Sequence, residues 1–308
     1  MSIQPPLKTA LVTGGTSGIG RATAEGLARN GFQVILTGRE RSRAEETVKQ
    51  LQQHTRNPHI SYLLADLSLT SEVQRLGAEV LNRHNTLDVL INNAGGNFST
   101  RQVTPEGFES TWALNHLAYA GLTFKLLPLL QQGSHKRIVN VASGWYARNL
   151  PWFDLQGEKR YNVGLAYVQS KLANILFTYA LARRLQGTGI TVNAVNPGIV
   201  DTGIGRNNTG VVRFLHTVLM KPLKRTPEQG AYPSLHLATA AEVAGLTGQF
   251  FDKTQFRRTA AFTYDLALQD RLWQVALEHL GLQEAEMADF LAGNIQPVQK
   301  RTGKPATA

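Results

Sequence analysis

The chain of 308 residues contains no cysteine. This removes disulfides, thiolate nucleophiles and cysteine-ligated metals, and it fits a reducing compartment. The eight histidines are scattered with no metal-ligand spacing such as His-x-x-x-His, so no metal site is expected. No run of eighteen apolar residues occurs, which excludes a membrane-spanning helix. The formal charge is +10, yet no run of five basic residues with interleaved aromatics accompanies it. The cations are dispersed, as in Arg39-Glu40-Arg41-Ser42-Arg43 and Lys221-Pro222-Leu223-Lys224-Arg225. A solvated basic surface, with some arginines serving cofactor phosphates, is expected rather than a nucleic-acid interface. With 42% hydrophobic and 18% charged residues the composition is that of a globular protein. Residues 1–7 are short and polar and read as neither a secretory signal nor a membrane anchor.

What is present is an alternation. Short apolar runs at 7–13, 33–37, 60–66, 87–92, 137–142 and 190–195 read as strands. Amphipathic stretches at 18–30, 42–54, 71–84 and 105–130, and one carrying Tyr167 that ends near Gly187, read as helices. Such an order predicts βαβ units and a parallel sheet covered on both faces. After Pro197 the pattern loosens. Thr226-Pro227-Glu228 marks a helix start, with proline just inside the cap and acid in the first turn. Residues 248–252 read as a last strand. No repeat or linker divides the chain.

Two local patterns carry chemistry. Thr13-Gly14-Gly15-Thr16-Ser17-Gly18-Ile19-Gly20 joins the first strand to the first helix. Glycines at 14, 18 and 20 permit a sharp turn and close approach of the backbone to a pyrophosphate, while the helix amino end offers free N–H groups and positive potential. Tyr167 and Lys171 lie four apart on one helix and so share a face. A free phenol titrates near ~10, and a neighbouring cation would lower that value toward the working range of an acid–base group. Ser143 ends the fifth strand, where ligands bind in open α/β sheets, and its hydroxyl can donate to a developing oxyanion.

Taken in order, Gly14, Gly18, Gly20, Asn92-Asn93-Ala94-Gly95, Asn115, Ser143, Tyr167, Lys171 and Pro197-Gly198 resemble the short-chain dehydrogenase/reductase family over roughly residues 8–202. The resemblance implies a single Rossmann-type, doubly wound sheet, a nicotinamide cofactor and hydride transfer between a carbonyl and an alcohol. Residues 1–295 would form one dinucleotide-binding catalytic domain, with a substrate-loop region near 201–226 and a disordered tail at 296–308. Tyr167 would be the proton donor in reduction, Lys171 its partner on the nicotinamide ribose, Ser143 the oxyanion donor and Asn115 a water-holding link to Lys171. Thr16, Ser17, Ile19, Asp66, Leu67, Asn93, Ala94, Gly95, Pro197, Gly198, Ile199, Val200 and Thr202 would complete the cofactor site. At the end of the second strand Gly38-Arg39 stands where NAD-selective enzymes of this fold carry an acid. Arg39 can pair with a 2′-phosphate, so NADP(H) is expected over NAD(H).

Ser143 and Tyr167 are about twice as far apart as is usual in the family. The insert, 145–161, contains Asp154-Leu155-Gln156-Gly157-Glu158-Lys159-Arg160-Tyr161 and is similar to the retinol dehydrogenase branch. So are Asn115-His116-Leu117, Ser170-Lys171-Leu172-Ala173-Asn174 and Leu185-Gln186-Gly187-Thr188-Gly189. That branch implies reduction of lipophilic aldehydes and ketones such as retinal. Trp145, Tyr146, Trp152 and Phe153 would either line an apolar substrate pocket or pack the insert onto the domain. Residues 211–223 would form a lid, a membrane contact or an ordinary amphipathic helix. The expectation is a cytoplasmic enzyme with room for peripheral membrane contact, and a homodimer or homotetramer paired through the helices holding Asn115 and Tyr167. Two alternatives are a protochlorophyllide-reductase-like enzyme, against which the missing cysteine counts, and a catalytically silent NADP(H)-binding sensor.

Overall fold

The computed structural model describes residues 7–200 and 225–285. Thr202, the 211–223 segment and the 296–308 tail lie outside the described residues. Eight strands form one sheet in the order β3-β2-β1-β4-β5-β6-β7-β8. The first half runs β1 (Thr9–Val12), α1 (Gly18–Arg29), β2 (Gln33–Gly38), α2 (Arg41–Thr55), β3 (Ile60–Leu64), α3 (Thr70–Arg83) and β4 (Val89–Asn92). A broken helix follows: α4 (Ser110–Trp112), a π-helical turn (Ala113–Leu117) and α5 (Ala118–Gln132). Then come β5 (Arg137–Val141), α6 (Val163–Arg184), β6 (Thr191–Asn196), α7 (Pro227–Thr239), β7 (Gln249–Asp252), β8 (Gln255–Phe256) and α8 (Leu266–Leu280). Strands β1 to β7 are parallel, and the two-residue β8 closes the edge antiparallel to β7. The sequence pattern did not anticipate β8.

The period-two alternation sorts side chains into two cores. Leu11 pairs with Ile35 and Leu90, Leu90 with Ile138, and Ile138 with Val192, so one row crosses five strands. These five residues face the core built by α3, α5, α6 and α8. Their neighbours Val12, Leu36, Ile91 and Val139 face the other core, under α1, α2 and α7. Asp88 ties the sheet's amino edge together. Its buried carboxylate accepts from the Thr9, Ser134 and His135 amides and the Ser134 hydroxyl.

Helix α8 lies across α5 and α6. Trp273 packs edge-on to Phe124 at 4.9 Å and stacks on Phe177 at 6.0 Å. Removing that buried indole would cost about 3–5 kcal/mol. Phe124 of α5 and Phe177 of α6 are thus covered by α8.

The helix expected from residue 105 begins later. Gly107, at φ +87°, closes a turn onto the Thr104 carbonyl, and Glu109 caps the start of α4 by accepting from the Thr111 and Trp112 amides. The expected start at Thr226 is present as a capping box with Gln229, with Pro227 at the first helical position.

Candidate active site

The turn after β1 is shaped by close approach. A Cβ on Gly20 would sit 2.3 Å from the Gly14 carbonyl oxygen and 2.5 Å from Asn93 Nδ2, so no side chain fits there. Gly14 has φ +63°, and its amide donates to Thr37 Oγ1 at 3.1 Å. Thr13 fastens the turn to the end of β4. Its hydroxyl donates to the Ile91 carbonyl and accepts from the Asn93 and Ala94 amides, while Asn93 Nδ2 donates to the Thr13 carbonyl. The amino end of α1 has no side-chain cap and no acid in its first turn, so its orphan N–H groups and positive dipole end are available to an anion.

One cavity of about 390 Å³ begins at Arg39, Glu40 and Arg43, passes the glycine turn and the start of α1, and reaches Tyr167 and Lys171. Of the residues picked out in sequence, Gly14, Thr16, Ser17, Gly18, Ile19, Gly20, Arg39, Leu67, Asn93, Ala94, Gly95, Tyr167 and Lys171 line it. A bare glycine turn, an uncapped helix end and two guanidinium groups at one end suit a phosphorylated dinucleotide.

At the other end, Tyr167 and Lys171 stand on the same face of α6. Lys171 is buried, its Nζ donates to the Val141 carbonyl at 3.0 Å, and it lies 5.6 Å from the centroid of the Tyr167 ring. Burial brings the Lys171 ammonium down to about 8. The simple expectation that the cation lowers the phenol is not what the geometry yields. Burial raises the Tyr167 phenol above its ordinary value, and a hydrogen bond with Ser143 pulls it part of the way back. The phenol therefore stays protonated around neutral pH, the form that donates. The Ser143 hydroxyl oxygen accepts from the Trp145 amide at 3.0 Å, which leaves its hydrogen free to turn toward the phenol.

Asn115 sits behind the cavity wall, fully buried in the π turn. Its side chain clamps Gly96 from both sides, accepting from the Gly96 amide at 2.8 Å and donating to the Gly96 carbonyl at 3.0 Å. It also donates to Ser170 Oγ.

Some expected cofactor residues stand off the wall. Asp66 is bypassed by its neighbours Ala65 and Leu67. Its carboxylate accepts from the Ser68 amide and hydroxyl and faces Arg39 at 3.9 Å. Pro197, Gly198, Ile199 and Val200 also lie outside the lining. Val200 packs with Ile19 and Ala231, which sets the loop after β6 beside the start of α1.

The four insert aromatics do not line the cavity and do not act alike. Tyr146 and Trp152 pack against the core, Tyr146 with its hydroxyl on the Ala260 amide and Trp152 under the Arg271 guanidinium. Trp145 and Phe153 are 62% and 91% exposed. The apolar part of the cavity includes Phe98 and Leu114, which the sequence reading did not select, beside Ile19, Leu67 and Val141. The insert reaches this wall indirectly, because the Tyr161 hydroxyl donates to the Phe98 carbonyl at 2.8 Å. Arg43, in the first turn of α2 and four positions after Arg39, was also missed.

Residues 8–210 match the short chain dehydrogenase family. The chain belongs to the short chain dehydrogenase family. Among its curated relatives, retinol dehydrogenase 14 of Homo sapiens is 39% identical over 89% of this chain and 87% of its own length. Retinol dehydrogenase 12 of Mus musculus is 36% identical over 92% and 89%. Among solved structures, an uncharacterized protein from Mycobacterium paratuberculosis superposes with a TM-score of 0.72 at 29% identity, covering 90% of this chain and 94% of that one. The Pseudomonas aeruginosa RhlG/NADP active-site complex superposes at 0.62 with 27% identity, covering 80% and 94%. The chain is thus an oxidoreductase of that family on a Rossmann-like sheet, similar to retinol dehydrogenases.

Proposed function

We propose that this family member is an NADP(H)-dependent carbonyl reductase, reversible as an alcohol dehydrogenase, whose substrate is a lipophilic aldehyde or ketone of the retinal kind. The observation that carries the reading is the position of Tyr167. Its protonated phenol lines the same cavity as the glycine turn and the arginine pair. Phe98 and Leu114 on that wall support an apolar substrate.

A bound nicotinamide dinucleotide supplies or accepts the hydride. The residues of the chain do the rest. Gly14 to Gly20 and the amino end of α1 hold the pyrophosphate, and Arg39 with Arg43 holds a 2′-phosphate. Ser143 orients the carbonyl oxygen and donates to it as negative charge develops, while Tyr167 delivers the proton that converts it to the alcohol. Lys171, fixed on the Val141 carbonyl, places a cation over the Tyr167 ring and steadies the phenolate left after proton transfer. Asn115 keeps the Gly96 wall in register with α6. The absence of cysteine supports a reducing, cytoplasmic setting.

The test is NADPH oxidation by purified protein with retinal, medium-chain and terpenoid aldehydes, and a polar aldehyde as comparison. Turnover with the apolar members is expected. Tight NADPH binding with no oxidation by any carbonyl would refute the proposal and favour a sensor.

A further inference from the structure

The catalytic face of α6 continues past Lys171. Tyr167, Ser170, Lys171 and Asn174 follow at helical spacing, and all four point at the π turn or the cavity beside it. Asn174 is fully buried. Its Nδ2 donates to the Asn115 main-chain carbonyl at 2.9 Å, and its Oδ1 lies 3.2 Å from His116 Nδ1. The amide nitrogen is already committed as a donor, so the oxygen must accept, and the imidazole proton is assigned to Nδ1.

His116 is enclosed by Trp112 at 4.6 Å and Phe177 at 6.0 Å. Its Nε2 is buried without a hydrogen-bond partner among the described residues. Among the described residues the ring thus has one polar partner, Asn174, and that contact fixes which way the Asn174 amide faces. Burial keeps the imidazole neutral by bringing it down to about 4.

Asn115 relays this outward. It clamps the cavity-lining Gly96 and donates to Ser170 Oγ, which in turn donates to the Tyr167 carbonyl at 2.7 Å. A π turn bonds i to i+5, as the Ala118 amide does to the Ala113 carbonyl, and is a wider, less self-supporting helix than an α turn. The lateral bond from Asn174 to the Asn115 carbonyl braces this turn from outside the helix.

We propose that Asn174, oriented by His116, is a positioning residue that holds the π turn so that Asn115 keeps Gly96 and Tyr167 in catalytic register. This rests on the carbonyl-reductase reading of Tyr167.

The experiment compares wild type with Asn174→Leu, Asn174→Asp, His116→Leu and His116→Asn, all as folded full-length chains judged by circular dichroism. Steady-state kinetics with NADPH and an accepted aldehyde are combined with hydrogen exchange of the Gly96 amide by NMR. Loss of a positioning contact at about the ångström level costs up to about a hundredfold in rate, so both Asn174 variants should lose about tenfold or more in kcat, with the KM for NADPH within about twofold. The Gly96 amide should exchange faster in both. His116→Leu should follow them in direction. His116→Asn, which keeps a donor where Nδ1 stands, should restore both readouts. Wild-type kcat and wild-type Gly96 protection in Asn174→Leu would overturn the inference, leaving a core-filling role. If wild-type protein turns over no carbonyl, the functional reading fails on its own, and the Gly96 amide still decides whether Asn174 holds the π turn.

Discussion

Replacing Arg39 by alanine separates the cofactors. Arg39 lines the cavity, its side chain is 64% exposed, and its only ion pair among the described residues is a loose one to Asp66 at 3.9 Å. Exposed pairs of this kind contribute about 0–1 kcal/mol, so the free protein should lose little stability in Arg39→Ala. A charge-assisted bond from guanidinium to a phosphate is worth about 1.5–3 kcal/mol. At about 1.4 kcal/mol per decade that corresponds to roughly tenfold to a hundredfold in Kd. Exposure places the single substitution near the lower end, so NADPH should bind about tenfold more weakly, while NADH, lacking the 2′-phosphate, should change by less than about twofold. Arg43 stands on the same wall, and Arg39→Ala with Arg43→Ala should approach a hundredfold, an order-of-magnitude figure from two such contacts. The assay is titration of both cofactors by calorimetry or fluorescence at low and at physiological ionic strength. The proposed preference for NADPH should shrink as salt rises. Equal weakening of NADH and NADPH in Arg39→Ala would show that this arginine does not read the phosphate.

Three other outcomes are expected. Tyr167→Phe should abolish turnover while leaving NADPH affinity nearly intact, since it removes only the hydroxyl; an active variant in the same assay would remove Tyr167 as proton donor. Lys171 has a folded value near 8 against an ordinary 10.5, so between these the unfolded chain holds more protons and stability should rise with pH. In urea unfolding, Lys171→Met should accordingly be the more stable protein below pH 8, with its advantage shrinking as pH rises toward 10.5. Burial alone would raise the Asp88 carboxyl, but its bonds from Ser134, Thr9 and His135 outweigh this and hold it below its ordinary value. That stabilisation is present above the unfolded carboxyl range and is lost as pH falls through the lower folded value. Asp88→Asn should cost about 2–3 kcal/mol at neutral pH, and the gap to wild type should narrow in acid, as read by urea unfolding.

Much of the scaffold was legible because it is local. Alternation of apolar residues identifies β1 to β7, and the Thr226-Pro227 start of α7 follows from cap chemistry. The glycine turn and the Tyr167–Lys171 spacing are likewise short-range patterns. The start of α4 was placed too early, because the Gly107 turn and the Glu109 cap were read through as one helix. The insert aromatics were assigned as a group because they are adjacent in sequence. In the fold Tyr146 and Trp152 turn inward while Trp145 and Phe153 face solvent.

By itself the sequence determined the sheet, its two-faced core and the chemistry of the turn and of α6, since these depend on spacing within one element or across one connection. Tertiary structure alone decided what surrounds them. Burial, a property of the whole packed chain, raises the Tyr167 phenol and lowers the Lys171 ammonium, reversing the expectation from their charges. Phe98 and Leu114 reach one cavity from two separate segments, the stretch after β4 and the π turn. Asn174 meets Asn115 and His116 across the α6 interface, a contact between residues some sixty positions apart that no local periodicity encodes.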